Sequence, residues 1–328
     1  MSKVSVLIAA YNAGKYISEC LDSLSSQTFA DFEAIVVDDA SSDNTSRIIE
    51  EYIKKDGRIS LIRSDQNEGQ AKSQNKALRK ACGEYVCMLD ADDWMSPDAL
   101  QKAYESFMIS PDTDCVLFQV CEVDGEMRRN YPLPEFSTLS GEDAFVKSLT
   151  WEIHGLYMIR ASIHQRFPYD DCCKSYSEDN TTRIHFLNSR VIRQCEGVYY
   201  YRQHPDSMTH HVSVKRFDFL VANESMRKQL IDAHVDDRLL AVYEKERWLN
   251  LIGMYCFYYV HRRKFDTKDR EYALKELRRV WSGIDVACLP QRLKWKFGYM
   301  PMCFCWTLFR MQEETYFFLR SLVGRNHN

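Results

Sequence analysis

The sequence predicts an α/β fold in which a central, mostly parallel β-sheet is flanked by helices and followed by a helical C-terminal region. Residues 1 to about 120 alternate buried-strand and amphipathic-helix patterns with short connections, the pattern of a parallel, Rossmann-like sheet. From about Ser213 onward the pattern is helical throughout. With 328 residues, of which 45% are hydrophobic and 27% charged, the chain has the length and composition of a folded protein with one large domain and an extension.

The individual elements follow in a regular order. The predicted elements are strand Val4–Ala9, helix Lys15–Ser25, strand Phe32–Val37, a helix capped by Ser42 or Asp43 that runs to about Lys55, strand Ile59–Ile62, helix Gln70–Ala81 and strand Tyr85–Leu89. Beyond Cys115 the periodicity is mixed, and the predicted strands there are Val116–Val120, Leu156–Ile159 and Val198–Tyr201. Two domains are therefore expected, 1–212 and 213–328, and the first divides into halves of about 1–120 and 121–212.

Composition excludes several classes of protein. A net charge of −4 and a pI near 6.2 do not favour nucleic-acid binding. The 12 cysteines lack the paired spacing of zinc sites, so reduced thiols are expected. The start of the chain lacks a signal-peptide pattern, and the longest apolar run, Phe297 to Phe309, has about 13 residues and is too short to span a bilayer. We therefore expect a cytoplasmic protein.

The strongest local signal is the end of the fourth strand, where Leu89 is followed by Asp90, Ala91, Asp92 and Asp93. Three carboxylates at one strand end concentrate negative charge, which is costly unless a cation neutralises it. Ligands that are all oxygen indicate Mg²⁺ or Mn²⁺, ions that often also hold substrate phosphates. Since Asp-rich turns that bind nothing are common, this motif alone leaves both interpretations open.

Two more polar clusters follow predicted strands. The second strand ends in Asp38-Asp39, followed by Ala40-Ser41-Ser42-Asp43-Asn44-Thr45, a stretch typical of a turn and helix cap but also suited to hydrogen bonds with a base or ribose. Asn67-Glu68-Gly69 precedes the third helix, with Lys72 in its first turn, where backbone amides and an ammonium group suit a diphosphate. Neither G-x-G-x-x-G nor a P-loop motif occurs, which argues against NAD, FAD and P-loop nucleotide binding.

In this order the motifs resemble those of glycosyltransferase family 2, whose members have the GT-A fold. The matching residues are Val4–Asn12, Val37–Thr45, Asn67-Glu68-Gly69 with Asn75, Leu89–Asp93 and Ser177-Glu178-Asp179-Asn180. The resemblance covers about residues 3 to 210. Two positions depart from the family: Ala9 stands where Pro is common, and Gln74 stands where Arg is common, which puts the donor contacts near Gln74 in doubt.

The resemblance implies a nucleotide-sugar site with a DxD-type metal motif. Tyr11 and Asp39 would contact the base and ribose, Asp90 the ribose or donor, and Asp92 the Mn²⁺ or Mg²⁺ that bridges the diphosphate. The full set of implied donor-binding residues is Ala10, Tyr11, Asp39, Ser41, Asn67, Gly69, Lys72, Asp90 and Ala91, and the implied metal ligands are Asp92, Asp90 and His204. The stretch from Tyr201 to Ser207 is similar to a Tyr-Arg-x-His-x-x-Ser segment of the family, in which Arg202 would meet the phosphates when the loop closes; a polar loop with an incidental His is the alternative.

Two acidic doublets compete for the role of catalytic base. Ser140-Gly141-Glu142-Asp143 is explained completely as a capping box at a helix start. Glu178-Asp179 also begins a helix, where negative charge is favoured. The resemblance selects Asp179 as the base, with Glu178 orienting the acceptor or the base.

The implied activity is metal-dependent, inverting transfer from a nucleoside-diphosphate sugar, first of all a UDP-sugar, to a saccharide or lipid-linked acceptor in surface polysaccharide or glycolipid synthesis. A catalytically silent nucleotide-sugar-binding scaffold is the alternative. The C-terminal region interleaves basic and aromatic residues, including Arg247-Trp248, Arg278-Arg279-Val280-Trp281 and Arg292–Phe297. Such a pattern suits peripheral contact with the inner face of an anionic membrane, a helical subdomain or a homodimer interface. Trp94 suits either a sugar face or a structural contact.

Overall fold

A computed structural model describes residues 2–173, 176–204 and 212–324. By its internal contacts the chain forms two compact units, Met1–Met208 and Thr209–Asn328. The part of the Tyr-Arg-x-His-x-x-Ser segment from Pro205 to Ser207 lies outside the described residues.

The first unit alternates strands and helices over its first half, as the sequence predicts. Its elements are β1 (Val4–Ala10), α1 (Ile17–Ser25), β2 (Phe32–Asp38), α2 (Thr45–Ile53), β3 (Ile59–Arg63), α3 (Gln70–Leu78), β4 (Tyr85–Met88), β5 (Trp94–Met95), α4 (Ala99–Met108), β6 (Thr113–Asp124), β7 (Met127–Asn130), α5 (Gly141–Leu149), β8 (Tyr157–Arg160), α6 (Ala161–Arg166), α7 (Glu178–Leu187) and β9 (Val191–Arg202).

Within the described residues the strands form one nine-stranded mixed sheet in the order β3-β2-β1-β4-β8-β6-β9-β5, with β7 paired to β6. Strands β3, β2, β1 and β4 are mutually parallel, whereas β8 is antiparallel to both β4 and β6. The long strands β6 and β9 are again parallel to each other. The predicted α/β class with flanking helices is confirmed. The sheet is mixed where a mostly parallel one was predicted, and its continuous parallel part is built from the first four strands.

Burial explains why β1 and β2 read as continuous apolar runs. Both faces of these central strands are covered, so Val6 and Ile8 enter one apolar cluster, while Leu7 enters another on the opposite face of the sheet. Helices α1 and α4 cover the first face with Leu21, Leu24 and Phe107 among other side chains. The sheet is thereby fixed in position, and the carboxyl ends of β1, β2 and β4 point the same way.

The second unit is helical. Its elements are a 3₁₀ turn (Val214–Phe217), α8 (Asp218–Asp232), α9 (Asp237–His261), α10 (Thr267–Ser282), a second 3₁₀ turn (Val286–Cys288), α11 (Gln291–Lys294) and α12 (Trp306–Leu322). None of the helices in the described ranges has the length and apolar character needed to cross a bilayer.

Much of the basic and aromatic pattern of this region lies inside the second unit. Trp248 and Trp281 are buried, and their indole N–H groups donate to the carbonyls of Tyr299 and Pro301 at 3.0 and 2.7 Å. The Arg247 guanidinium is fully buried and pairs with Glu244 at 2.8 Å. These residues therefore form the core of a helical subdomain, which is one of the three roles that the sequence left open.

Candidate functional site

The site begins where β1 and β2 end. Beyond these strands the backbone N–H of Asn12 donates to Ser41 Oγ at 2.9 Å, and the N–H of Ser42 donates to Asn12 Oδ1 at 2.8 Å. The two loops are thus tied together side by side. Ala10 is buried in the strand, whereas the Tyr11 side chain is 52% exposed beyond it. A ring presented at this position is available to a flat ligand group such as a nucleobase.

The neighbouring acids Asp38 and Asp39 have different surroundings. Asp38 accepts the backbone N–H of Ser41 at 3.0 Å and the hydroxyl of Ser46, which makes it a turn and helix-start residue. Asp39 crosses to the next loop, where its carboxylate accepts the N–H groups of Glu68, at 3.0 Å, and Gly69, at 2.8 Å. The sequence left structural and functional readings of this pair even; the geometry assigns Asp38 a structural role and makes Asp39 the brace between two loops of the site.

This bracing changes the expected role of the loop before α3. Gly69 has φ of 93°, a left-handed conformation that favours glycine, and its N–H points at Asp39. The amides of Glu68 and Gly69 therefore meet a carboxylate in this structure, where the sequence led us to expect a diphosphate. Lys72 is exposed on α3, and its ammonium, with Lys76, helps to lower the pKa of Glu68. Asn67 lies at the start of the same loop.

The acidic end of β4 is held from several sides. Gln70 Nε2 donates to Asp90 Oδ1 at 2.8 Å. The Tyr199 hydroxyl accepts the N–H of Asp90 at 3.0 Å and donates to Asp93 Oδ2 at 3.0 Å. The N–H of Arg202 donates to Asp93 Oδ1 at 2.7 Å. Asp93 is thus buried and fully engaged by β9, which leaves Asp90 and Asp92 as the partly exposed acids of this strand end.

Negative charge is concentrated at this end of β4. Burial raises the pKa of Asp90 to about 7, and the charges of Asp92 and Glu178 add to the rise. Burial, with Asp90 and Asp92, also raises the pKa of Asp93 well above its usual range. Perturbed carboxyl groups of this kind are typical of functional sites, since their mutual repulsion is relieved when a cation binds. Glu178, distant in sequence, thus adds to the negative charge that acts on Asp90.

The predicted metal ligands are only partly assembled. His204 Nε2 is 2.8 Å from Asp92 Oδ2, and His204 Nδ1 is buried with no hydrogen-bond partner. Among the described residues, no three His, Cys, Asp or Glu side chains are grouped closely enough to hold a metal ion. The carboxylates of Asp90 and Asp92 and the imidazole of His204, whose Nδ1 has no hydrogen-bond partner, nevertheless fit the donor set of Mn²⁺ or Mg²⁺.

The predicted base lies at the first turn of α7. Glu178 and Asp179 are both partly buried. Burial and the neighbouring Asp179 raise the pKa of Glu178 to about 7. Burial also raises the pKa of Asp179, while the charge of Arg183 opposes that rise. The pKa of each carboxyl group is thereby raised toward neutral pH, the range in which a general base is most effective.

The competing doublet has the structural role that the sequence suggested. Ser140 Oγ accepts the N–H of Asp143 at 3.1 Å and donates to Asp143 Oδ2 at 2.7 Å, which is the capping box at the start of α5. Because Asp143 is engaged in this cap, we retain Asp179 as the candidate base.

Arg202 and Trp94, two side chains near the site, make structural contacts. Arg202 Nε donates to the carbonyl of Asp92 at 2.7 Å and its guanidinium also pairs with Glu19, so it holds the acidic loop in place. Trp94 stacks on Tyr200 with ring centroids 5.2 Å apart and lies 4.5 Å from the Arg202 guanidinium. The contact of Arg202 with the donor phosphates stays a prediction, and for Trp94 these contacts favour the structural one of its two expected roles.

Sequence reasoning missed Gln70 and Tyr199, which contact the acidic loop directly. Gln70 carries no motif signal, because a Gln in a helix's first turn is common on any surface. Tyr199 stands within Tyr199-Tyr200-Tyr201, and only the strand alternation of β9 decides which ring is buried. That alternation becomes readable once the pairing of β5 with β9 is known.

Comparisons with known proteins agree with this geometry. Residues 5–172 match the family model described as Glycosyl transferase family 2. The chain is 33% identical over 173 residues to an uncharacterized glycosyltransferase, MJ1057, of Methanocaldococcus jannaschii, covering 51% of this chain and 59% of that protein. It is 30% identical over 229 residues to the putative glycosyltransferase EpsH of Bacillus subtilis, covering 66% of this chain and 65% of that protein. The chain thus spans less than two thirds of the length of either relative.

Solved structures show the same fold. The crystal structure of Staphylococcus aureus TarS 1–349 in complex with UDP-GlcNAc superposes with a TM-score of 0.77 at 22% identity, covering 96% of this chain and 91% of that one. The mannosyltransferase PcManGT from Pyrobaculum calidifontis, in complex with GDP-Man and Mn²⁺, superposes with a TM-score of 0.55 at 17% identity, covering 98% of this chain and 86% of that one. TarS of strain Mu50, a poly(ribitol-phosphate) β-N-acetylglucosaminyltransferase, is 28% identical over 288 residues, covering 77% of this chain and 49% of that protein.

Proposed function

The chain belongs to glycosyl transferase family 2, and from this premise we propose that it is a metal-dependent, inverting glycosyltransferase of polysaccharide or glycolipid synthesis. Its donor is a nucleoside-diphosphate sugar, with UDP-GlcNAc as the first candidate because a structural neighbour was solved with that compound. Its acceptor is a saccharide or a lipid-linked saccharide.

One observation carries the proposal: the acidic end of β4 and the first turn of α7 are both tied to helix α3. Gln70 of α3 donates to Asp90 Oδ1 at 2.8 Å, and Asn75 of α3 donates to the carbonyl of Tyr169 at 2.9 Å. The next residue, Asp170, accepts the side-chain N–H of Asn180 in α7 at 2.7 Å, and the charge of Glu178 adds to the rise in the pKa of Asp90. A donor at the strand end would then be within reach of the carboxyl groups of α7, and a single displacement at a sugar carbon requires such a base to receive the proton of the acceptor hydroxyl.

The roles of the side chains follow from their positions. Tyr11 and Asp39 border the place for the base and ribose, and Asp39 keeps the Gly69 loop against it. Asp179 accepts the proton of the acceptor hydroxyl, and Glu178 orients that hydroxyl or Asp179. Asp90 and Asp92, with His204, would hold the divalent cation, and members of this family are generally metal-dependent. A bound cation supplies Lewis-acid stabilisation of the charge that develops on the leaving diphosphate.

A donor screen tests the proposed activity. Purified protein is incubated with UDP-, GDP- and dTDP-sugars, with Mn²⁺ or with EDTA, and release of the nucleoside diphosphate is measured. We expect release from one donor class that depends on the cation and increases when saccharide acceptors are added. A protein that binds a donor tightly but releases no nucleoside diphosphate under any condition would instead be the silent scaffold.

We also propose that the second unit contacts an anionic membrane surface through the segment around α11. The Trp295 and Phe304 side chains are 79% and 81% exposed, and Phe297 is exposed as well. Lys294 and Lys296 flank Trp295 in the sequence. Exposed aromatic rings beside lysines suit the interface of a bilayer that carries anionic lipids, where lipid-linked acceptors would be found.

Vesicle flotation tests this contact. The protein is mixed with vesicles of neutral lipid alone or with an anionic lipid added, and the variant carries Trp295→Ser and Phe304→Ser. We expect flotation with the anionic vesicles only, and much less of it for the variant. Equal flotation of both proteins would remove this part of the proposal and leave the proposed activity unaffected.

A further inference from the structure

Trp151 occupies a backbone position that favours glycine. Helix α5 ends at Leu149, and Trp151 follows with φ of 59° in the left-handed region. The N–H of Glu152 bonds to the carbonyl of Lys147 at 3.0 Å and the N–H of Trp151 bonds to that of Ser148 at 3.4 Å, the pair of bonds that defines a Schellman motif. A large aromatic residue at this place is strained, and strained residues are frequent at binding sites.

The strained backbone is held in place and the ring is left accessible. The Tyr131 hydroxyl donates to the carbonyl of Trp151, and the Tyr131 ring packs edge-on against His154 with centroids 5.2 Å apart. The Trp151 side chain itself is 51% exposed. The backbone of Trp151 is therefore held in place while its ring stays exposed, which indicates a role other than packing in the core.

The ring lies close to the helix that carries the candidate base. The Arg183 guanidinium is 5.8 Å from the centroid of the Trp151 ring, and Arg183 is buried. Arg183 is one turn after Asp179 on α7, and its charge opposes the rise in the pKa of that carboxyl group. Arg183 is therefore close both to the exposed Trp151 ring and to the helical turn that carries Asp179.

We propose that Trp151 is the stacking platform for a pyranose ring of the acceptor saccharide. An apolar sugar face packs on an exposed indole, and a residue with few rotatable bonds binds at a small entropic cost. Stacking at this place sets which acceptor hydroxyl reaches Asp179, and Arg183 contacts the ring while its charge acts on the Asp179 carboxyl group. That the bound saccharide is the acceptor rests on the proposed function, but its contact with Trp151 can be tested without turnover.

A direct binding measurement decides the contact. The full chain is labelled with 5-fluorotryptophan, which marks its 6 tryptophans, and the variant Trp151→Phe assigns the Trp151 resonance in ¹⁹F NMR spectra. Chitotetraose, cellotetraose and poly(ribitol phosphate) are then titrated without donor. We expect at least one of them to shift the Trp151 signal while the signal of Trp295, which is 79% exposed, stays in place. A Trp151 signal that no probe moves, or a Trp295 signal that moves equally, overturns the proposal.

Kinetics with Trp151→Gly separate binding from folding. Glycine suits the left-handed backbone, so this variant should melt at the same temperature as the wild type or higher. Its acceptor KM should rise about tenfold, the size of a lost aromatic stacking contact, and Trp151→Phe should recover most of the loss. An unchanged acceptor KM, or a loss of activity that tracks a lower melting temperature, contradicts the platform. A wild type that turns over no donor would instead count against the proposed function, and the NMR result would still decide the saccharide contact.

Discussion

Replacing Asp179 by Asn is the sharpest perturbation of the proposed chemistry. Asn keeps the size of the side chain and removes its ability to accept a proton. If Asp179 is the base, transfer loses the contribution of general-base catalysis, while the donor, whose proposed site is at the ends of β1, β2 and β4, still binds. We expect a fall in kcat with little change in donor affinity.

The structure sets the size and sign of the two expected effects. A positioned base contributes about 10²–10⁴-fold in rate, or roughly 3–5 kcal/mol of barrier. Burial raises the pKa of Asp179, with only partial opposition from Arg183. Because the folded-state pKa lies above the unfolded one, the stability linked to this carboxyl group is present at low pH and lost as the pH rises through the folded pKa. Removing its charge at pH 8 should therefore leave the protein as stable as the wild type or more stable.

The assay compares Asp179→Asn with Asp143→Asn. Both acids lie in the first turn of a helix, but Asp143 only completes the capping box with Ser140. Transfer kinetics, donor titration calorimetry and thermal melting are measured for each variant. Asp143→Asn should keep its turnover and lose up to about 1 kcal/mol of stability. Near-normal turnover of Asp179→Asn, or an equal loss of turnover in both variants, would refute the assignment of the base.

Three further predictions concern stability and the donor site. Burial and Asp179 raise the pKa of Glu178 from 4.5 to about 7, so Glu178→Gln should be more stable than the wild type at pH 8, by no more than about 3 kcal/mol. The difference should vanish by pH 4.5. Urea titrations at both pH values test this, and a variant that is less stable at pH 8 would contradict it. Burial likewise raises the pKa of Glu313 in α12 from 4.5 to about 8, so the stability linked to Glu313 is lost between these pH values. Glu313→Gln should therefore flatten the pH profile of urea unfolding by up to about 5 kcal/mol. An unaltered profile would show that Glu313 is not buried as described. Asp39→Ala leaves the backbone amides of Glu68 and Gly69 without their acceptor and should lower the stability by about 2–4 kcal/mol. It should also lower the donor affinity. Urea unfolding measures the first effect and calorimetry the second, and a variant with unchanged stability and donor affinity would show that the Asp39 contact is dispensable.

The sequence was most informative where periodicity and chain order coincide. The ends of strands β1 to β4 were predicted to within about one residue and those of helices α1 to α3 to within about three, because buried parallel strands read as unbroken apolar runs between amphipathic helices. The second half of the sheet was predicted only in fragments. There β6 and β9 each run for 12 residues with irregular pairing, and β8 inserts antiparallel between β4 and β6, a topology that no local pattern specifies.

The same distinction applies to the site. Asp39, Asp90 and Asp92 could be predicted as site residues because each directly follows a strand, and the carboxyl ends of parallel strands lie at one edge of the sheet. The partners of these acids were not predicted. They are the backbone amide of Gly69, the hydroxyl of Tyr199 in β9 and the side-chain amide of Gln70 in α3, and tertiary packing decides that these groups meet the acids. Sequence therefore indicated where charge accumulates, and the structure was needed to identify what holds it.

Titration calorimetry of UDP-GlcNAc with Mn²⁺ tests the central claim most directly. The claim is that Asp90 and Asp92 at the end of β4 bind a divalent cation together with the donor. We expect the wild type to bind the donor much more tightly with Mn²⁺ than with EDTA, and Asp92→Asn to lose this difference. Equal donor affinity with and without Mn²⁺ in the wild type, or an undiminished Mn²⁺ effect in Asp92→Asn, would contradict the account.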